Sequence, residues 1–577
     1  MRTLLSRSVF LCSLAASLLF AVRCFAQAPL EPAQLPAKTT FYLIWRGTPP
    51  GDVRKSNALL GLWDDPDFAP MRSALVESLL SDSQKQPGNS KLSREEITQY
   101  ASLLDNPFVL GYLPRPDSSA PAKPDSAKLA PAWNGVFFVY DRSGKEELLT
   151  KAVLRMRAGD AQIPKLTPLT VAGVSALKIE RKSGINYWAE TGKFAVGASE
   201  LSVFEEILNR LAGKVDSSTL AQSAAYQEAK PVLTGGFVEF FLRIPDIKDL
   251  ARGTDTSAPQ ARVVLNALKL DSIHVLAGHL SFEGPRTRLQ GAILGDTSPG
   301  SLFDIWPEGQ ANPASLSFLT ADTVSISDAQ INFQGIYETL KRAFSASGQN
   351  SANSLNPLET VIQTRLGMPL TDALALTTGE IASLQTSPTL DATKQIYFLG
   401  IRNKPEALKL LRTIFSEQIT SERNEGSATF LKISLHGGQS SAGVAQWNFY
   451  HLAMTPNFLL GAAKVETLRA ALAQQAANPS PSLPRNFLVA RKLYPEKITG
   501  FSYFDLQKLD WPALKEKWIA EANKTAATKT TNNSQGLPKQ ADWLSSVNPA
   551  VFSRYLHSVG GASWKDAQGV HFDQWLD

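Results

Sequence analysis

Residues 194–208 read FAVGASELSVFEEIL, and residues 458–472 read FLLGAAKVETLRAAL. Set one above the other at an offset of 264, they share Phe194 with Phe458, Gly197 with Gly461, Ala198 with Ala462 and Leu208 with Leu472. Each opens as a short β-rich run and passes into a helical pattern, so a strand followed by a helix is written twice. Downstream, Gly236, Phe237, Phe240, Leu242, Asp246 and Leu250 match Gly500, Phe501, Phe504, Leu506, Asp510 and Leu514 at the same offset. Upstream, residues 136–139 with Arg142, Glu146 and Leu148 match residues 396–399 with Arg402, Glu406 and Leu408 at an offset of 260. Near the ends, Ile273, His274 and Gly278 align with Leu556, His557 and Gly561 at an offset of 283. Four blocks in one order predict two tandem, diverged copies of one unit.

The unit mixes hairpins with helices. Residues 185–190 and 194–198 flank Thr191 and Gly192, a hairpin signal, and residues 447–454 and 458–462 flank residues 455–457 in the same way. A helix follows, with Ser199 as its expected N-cap, Gly213 just past its end, and Leu201, Phe204, Ile207, Leu208 and Leu211 on one face. Val465, Leu468 and Leu472 repeat that face. Ser93 and Glu96 have the spacing of a capping box before a helix expected to reach about Leu104. These patterns predict an α+β fold with a mainly antiparallel sheet, not a doubly wound parallel one. The expected divisions are a signal peptide over 1–26, a first unit over 27–295, a linker over 296–313 and a second unit over 314–577. The linker is punctuated by Pro299, Gly300, Pro307, Gly309 and Pro313. Residues 115–132, rich in Pro, Ala, Ser and Lys, are expected to form an excursion, and residues 521–541 to be disordered.

The first residues give an address. Arg2 and Arg7 precede an apolar run over 8–22, and Cys24 and Ala26 occupy the −3 and −1 positions for cleavage after Ala26. The run is too short for a spanning helix of about 20 residues, and no other apolar stretch reaches that length. Arg23 spoils a lipidation site at Cys24. The expectation is a periplasmic or secreted protein with no membrane span after cleavage. Cys12 and Cys24 both fall in the removed segment, which would leave no thiol for disulfides, nucleophiles or metal sites. The formal charge of +5 drops to +2 once Arg2, Arg7 and Arg23 are removed, and no basic run of five or more appears. Nucleic acid is therefore not an expected partner.

Residues 35–47 (LPAKTTFYLIWRG), residues 57–66 (NALLGLWDDP) and the paired Phe-x-x-Gly-Ala blocks resemble the DUF3352 family, exported bacterial proteins grouped as a domain of unknown function. The resemblance would cover most of the mature chain. It implies an envelope or periplasmic setting and supplies no catalytic residues.

Motifs that could carry chemistry fall short one by one. Asp64, Asp65 and Asp67 suggest a calcium loop, but Ala69 stands where a third acid is needed and no Gly follows. The plainer reading has Asp65 capping a helix that begins at Pro66. Among the six histidines, His274, His279, His436, His451, His557 and His571, none forms a His-Glu-x-x-His pair. His274 and His279 are five apart on an expected strand, hence on opposite faces. In the run from Gly438 through Ser440 to Gly443, the second glycine arrives one residue late for a nucleophile elbow. Ser175 and Lys178 have Ser-x-x-Lys spacing without the elements that accompany it. Lys193 is followed by Phe194, not by the Ser or Thr of a phosphate loop.

Residues shared by the copies are mostly Phe, Leu and Gly, which build core and turns. Asp246 and Asp510 read as helix caps, and Arg142 with Glu146, like Arg402 with Glu406, as surface pairs. Trp511, Trp518, Trp543, Trp564 and Trp575 read as buried rather than as a sugar-stacking row. No catalytic, cofactor-binding or metal-ligating residue is assigned, and no cofactor is expected. The leading expectation leans away from an enzyme: an exported binding or scaffolding protein whose partner is an unknown envelope protein or glycan. The alternatives are a cryptic hydrolase with carboxylates at the cleft between copies, and a carbohydrate-binding protein.

Overall fold

The computed structural model describes residues 28–74, 93–114, 135–158, 165–181, 184–214, 218–245, 269–346, 359–361, 363–434, 450–477, 485–529 and 545–577. Residues 1–27, which carry the expected signal peptide and both cysteines, lie outside them. So do the excursion over 115–132, Asp246, Leu250, His436, residues 438–443 and Trp543.

Alternation builds the strands. In Phe41–Trp45, Tyr42 and Ile44 are fully buried while Phe41 and Leu43 are half-buried, the period-2 pattern of a strand with one face on a core. Among the described residues, ten strands occupy the first half: β1 Phe41–Trp45, β2 Phe108–Tyr112, β3 Val136–Asp141, β4 Lys165–Val171, β5 Val174–Arg181, β6 Gly184–Thr191, β7 Phe194–Ala198, β8 Val238–Arg243, β9 Ile273–Glu283 and β10 Arg286–Gly295. Ten more occupy the second: β11 Ser325–Gln330, β12 Thr377–Gln385, β13 Gln395–Ile401, β14 Ile419–Glu425, β15 Ala428–Ile433, β16 His451–Met454, β17 Phe458–Ala462, β18 Gly500–Asp505, β19 Ser558–Lys565 and β20 Gly569–Leu576.

Every pairing between them is antiparallel. In the first half the neighbours run β4-β5-β6-β7-β3-β2-β1-β8-β9-β10. In the second they run β14-β15-β16-β17-β13-β12-β11-β18-β19-β20. The two orders are identical when each second-half strand is matched to the one ten places earlier. The last strands of the halves, β10 and β20, pair with each other, so twenty strands form one sheet. This is an α+β fold with a large antiparallel sheet, as the mixed pattern predicts.

Helices cover the sheet. Val203, Phe204, Ile207 and Leu208 of the helix Leu201–Leu211 enter the first-half core beside Tyr42, Ile44, Phe137 and Phe241. Leu201, expected on that face, is exposed instead. Leu468 of the helix Val465–Ala477 enters the second-half core with Phe398, Leu460, Phe487 and Tyr503. A third cluster joins the halves. Leu59, Leu62 and Phe68 of the first half pack with Leu506, Trp511, Leu514, Val551 and Leu556 of the second. Residues of the expected linker pack against the second half. Phe303 is fully buried, Lys565 Nζ donates to the carbonyls of Phe303 and Trp306, and Gln310 exchanges backbone hydrogen bonds with Ile498.

Two expectations change. Ser199 does not cap its helix. The N-cap is Glu200, which makes no side-chain cap bond, while Ser199 Oγ accepts from the amides of Gly135 and Val136 and ties down the start of β3. Residues 521–529 are not disordered, because the helix Trp511–Lys529 continues through them. The helix that opens with the Ser93 capping box is Arg94–Ala101, followed by a 3-10 turn over Ser102–Asp105. The hairpin at Gly192 forms as expected, with φ at +53°, a conformation open to glycine.

Candidate functional site

The seam between β10 and β20 is where the halves face each other. Ala277 pairs with Phe241, and Ser558 with Asp505. Since Phe241 and Asp505 are separated by the repeat offset of 264, Ala277 and Ser558 are equivalent, at an offset of 281. The alignment of His274 with His557 is thus two residues out of the sheet register. Carried across the β9–β10 and β19–β20 hairpins, the same reasoning makes Leu289 equivalent to Gln574 and Arg288 equivalent to Asp573. Leu289 and Gln574 lie directly opposite each other. A local two-fold axis therefore passes between them.

Beside that axis Arg288 grips Asp573. Nε donates at 3.0 and 3.1 Å and Nη2 at 2.5 Å to a carboxylate that is 3% exposed, and Gln290 Nε2 donates to it at 3.2 Å. The Asp573 hydrogen bonds, outweighing burial, raise the pKa of the guanidinium further. Identical side chains at these two equivalent places would set like charges together; an arginine and an aspartate join instead. A second clamp crosses between the halves nearby. Asp65 accepts from its own helix start at Asp67 N (2.8 Å), from Tyr555 Oη (3.0 Å) and from Arg554 (3.3 Å). Arg554 and Asn548 also reach Asp67. The Asp64–Asp67 run is thus a cap, as the plainer reading has it, and also an interdomain fastening that no local pattern announces.

A cavity of about 250 Å³ opens at the end of the seam, lined by Arg286, Val489, Gln507, His557, Ser558, Trp575 and Asp577. Arg286 comes from the first half and the rest from the second. Arg286 Nε is buried without a hydrogen bond and stands 3.6 Å from Asp577 Oδ2. The backbone of Asp577 is fixed by the amides of His557 (2.6 Å) and Ser558 (3.0 Å). No hydrogen bond links the side chains of Ser558, His557 and Asp577, although nucleophilic catalysis needs its base within about 3 Å of the nucleophile. A second cavity, of about 230 Å³, lies between Asp304 and the helix Phe333–Ala346. There Asn332 Oδ1 caps Gly335 N and its Nδ2 donates to the Asp304 carbonyl. Local capping accounts for that geometry.

Polar groups gather at equivalent places with unlike chemistry. Phe237 and Phe501, separated by the repeat offset, face Arg46 and Asp328 respectively. Arg46 binds Glu31 through two nitrogens (2.5 and 3.1 Å) and Glu239 through one (2.9 Å). Burial works against the Arg46 charge, but the two carboxylates prevail, whereas burial, with the Glu31 charge, raises Glu239 against the pull of Arg46. In the second half, Asp328 accepts from Ser315 Oγ (2.7 Å) and Glu380 accepts from Ser315 N (2.7 Å). Both acids are nearly enclosed, at 3% and 4% exposure. Burial, with the neighbouring Glu380, pushes Asp328 up to about 8 despite the Ser315 hydrogen bond. This is a close carboxyl pair of the sort expected for a hydrolase cleft, yet it sits inside the second half and lines neither cavity.

The other singled-out residues scatter. His274 is exposed beside Glu228, and His279 is buried with Nδ1 2.8 Å from the Val232 carbonyl; both reach the helix Ala224–Leu233, and a register shift beside His274 breaks the alternation that would set them on opposite faces. His451 is half-buried, and burial lowers its pKa. His571 stacks on Trp564 at 5.3 Å. Ser175 is exposed on β5 and Lys178, three residues on, pairs with Glu180, so the two point to opposite sides. Asp510 caps the following helix through Ala513 N. Arg142 and Glu146 do not form a surface pair. Arg142 binds Glu190 and the Gly192 carbonyl, and Arg402 binds the Thr377 carbonyl. Trp511 and Trp575 are buried, and Trp518 sits edge-on to Trp511. Among the described residues no cluster of three or more His, Cys, Asp or Glu could hold a metal, and no helix is long and apolar enough to cross a membrane.

Comparison with family models, curated proteins and solved structures finds no match. The class stands on architecture alone: an α+β protein with one twenty-stranded antiparallel sheet made of two halves of the same strand order.

Proposed function

We propose that this chain is an exported, non-enzymatic protein of the periplasm or envelope that binds or scaffolds another envelope component, and that it arose by tandem duplication of a DUF3352-like unit. One observation carries the reading. The halves keep a common strand order while the polar groups at equivalent places differ, half-buried Arg46 in one and buried Asp328 in the other. Duplicated catalytic machinery would tend to repeat its reactive groups. Here the architecture repeats and the chemistry does not, and Asp65, Asp510 and Asp573 are occupied with caps and clamps.

Export predicts that the purified protein begins at Gln27, which intact-mass measurement reads directly. Crosslinking of the tagged protein in envelope extract, followed by mass spectrometry, should recover a recurrent partner. A hydrolase drawing on His557, Ser558 and Asp577 of the seam cavity is the second reading. Turnover of an ester or glycoside panel with no recovered partner would put it first.

A further inference from the structure

The seam cavity combines features that select a ligand. Arg286 lines it from the first half and carries a planar guanidinium whose Nε is itself enclosed. The Asp577 carboxylate lies 3.6 Å away. An anion would meet that carboxylate and a cation would meet the guanidinium, which disfavours a guest with net charge of either sign. Gln507, His557 and Ser558 add groups that both donate and accept. Trp575 supplies an apolar side to the same wall. The volume of about 250 Å³ lies below the roughly 300–1,000 Å³ of sites for drug-sized ligands. It has room for one small ring.

We infer that the seam cavity binds a neutral, polyhydroxylated ring, a single hexose unit, free or at the end of a glycan. Hydroxyls donate and accept at once, so vicinal hydroxyls can satisfy Arg286 and Asp577 together, while the carbon-hydrogen face of the ring lies against the apolar wall. The inference rests on the binding-protein reading and names the chemistry of its ligand. Because Arg286 comes from one half and its companions from the other, the site exists only where the halves meet.

Calorimetric titration of the full exported chain tests it, with glucose, galactose, mannose and N-acetylglucosamine as probes, sulfate as a charged control and glycine as a zwitterionic one. At least one hexose should bind at one site per chain. Gln507→Ala, at an exposed position, should weaken that binding about tenfold with an unchanged denaturation midpoint. Arg286→Lys, which keeps the charge but loses the planar guanidinium, should weaken it as well. Three results would overturn the inference: no saturable heat with any hexose, sulfate or glycine binding more tightly than every hexose, or hexose binding indifferent to both substitutions. A hexose-negative protein that still captures a recurrent envelope partner would sink this inference and leave the scaffold reading standing.

Discussion

Asp328 shows how one side chain can tie the fold to pH. The folded chain holds a proton on it up to about pH 8, whereas an unfolded aspartate releases its proton near pH 4. Below about pH 4 both states carry the proton and its contribution to stability is whole. Between about pH 4 and 8 only the folded state keeps it, so stability falls as pH rises, and the loss levels off above about 8. Asp328→Asn should therefore flatten the dependence of the urea midpoint on pH in that window. Parallel wild-type and variant curves would exclude the enclosed proton. Asp65 makes a different prediction. Asp65→Ala loses a helix cap and the Tyr555 hydrogen bond, each worth about 1 kcal/mol. The expected cost is about 2 kcal/mol by denaturant unfolding. Asp64→Ala at the exposed neighbour, which is bound only to Arg54, should cost less than about 1 kcal/mol. Capping at Asp65 was legible because Asp-Pro states it locally. Its bonds to Tyr555 and Arg554 were not, because 489 or 490 positions separate the partners.

At the scale of elements, legibility follows the range of the interaction. The Gly192 hairpin, the Ser93 capping box and the buried face of the helix Leu201–Leu211 are written within a dozen residues, and they appear nearly where expected. Ser199 misleads because a serine before a helix can bond elsewhere, and here the β3 amides compete successfully for it. Placement of β3 between β2 and β7, and of β10 against β20, is fixed by pairings that leave no local trace. The sheet ends at β4 and β14 carry devices against further pairing. Pro168 stands within β4 and removes an N–H from it, and β14 is exposed, with Glu422 and Glu425 bound to Arg412 and Arg469. The seam has its own signature. Arg288→Ala would strand a nearly enclosed carboxylate, at an expected cost of about 2 kcal/mol after allowing for the partial exposure of the arginine. Removing Asp573 as well should recover much of that loss. A double variant no better than the single would mean that the pair does not hold the seam.

For the whole molecule, the sequence repeat and the strand order tell one story at different depths. Matching Phe, Gly and Leu positions predict that a unit recurs, since core and turns constrain residue type most tightly. They do not reveal that the units share one sheet. The seam strands align poorly, and equivalent seam positions hold unlike residues such as Leu289 and Gln574. The cavity residues were invisible for the same reason: Arg286 and Asp577 come from strand ends 291 positions apart, and neither belongs to a motif. Continuity through β10 and β20 is what makes one protein of two halves, and it can be probed at the axis itself. In Leu289→Cys/Gln574→Cys the two cysteines would lie directly opposite, at the Cα separation of about 4.5–5.5 Å found in antiparallel pairs, which a disulfide can bridge. Mild oxidation of the purified exported protein should give a rapid, intramolecular bond, seen by mass spectrometry as one crosslinked peptide pair. Two thiols that stay free, or that link only between molecules, would contradict a single sheet joined at this seam.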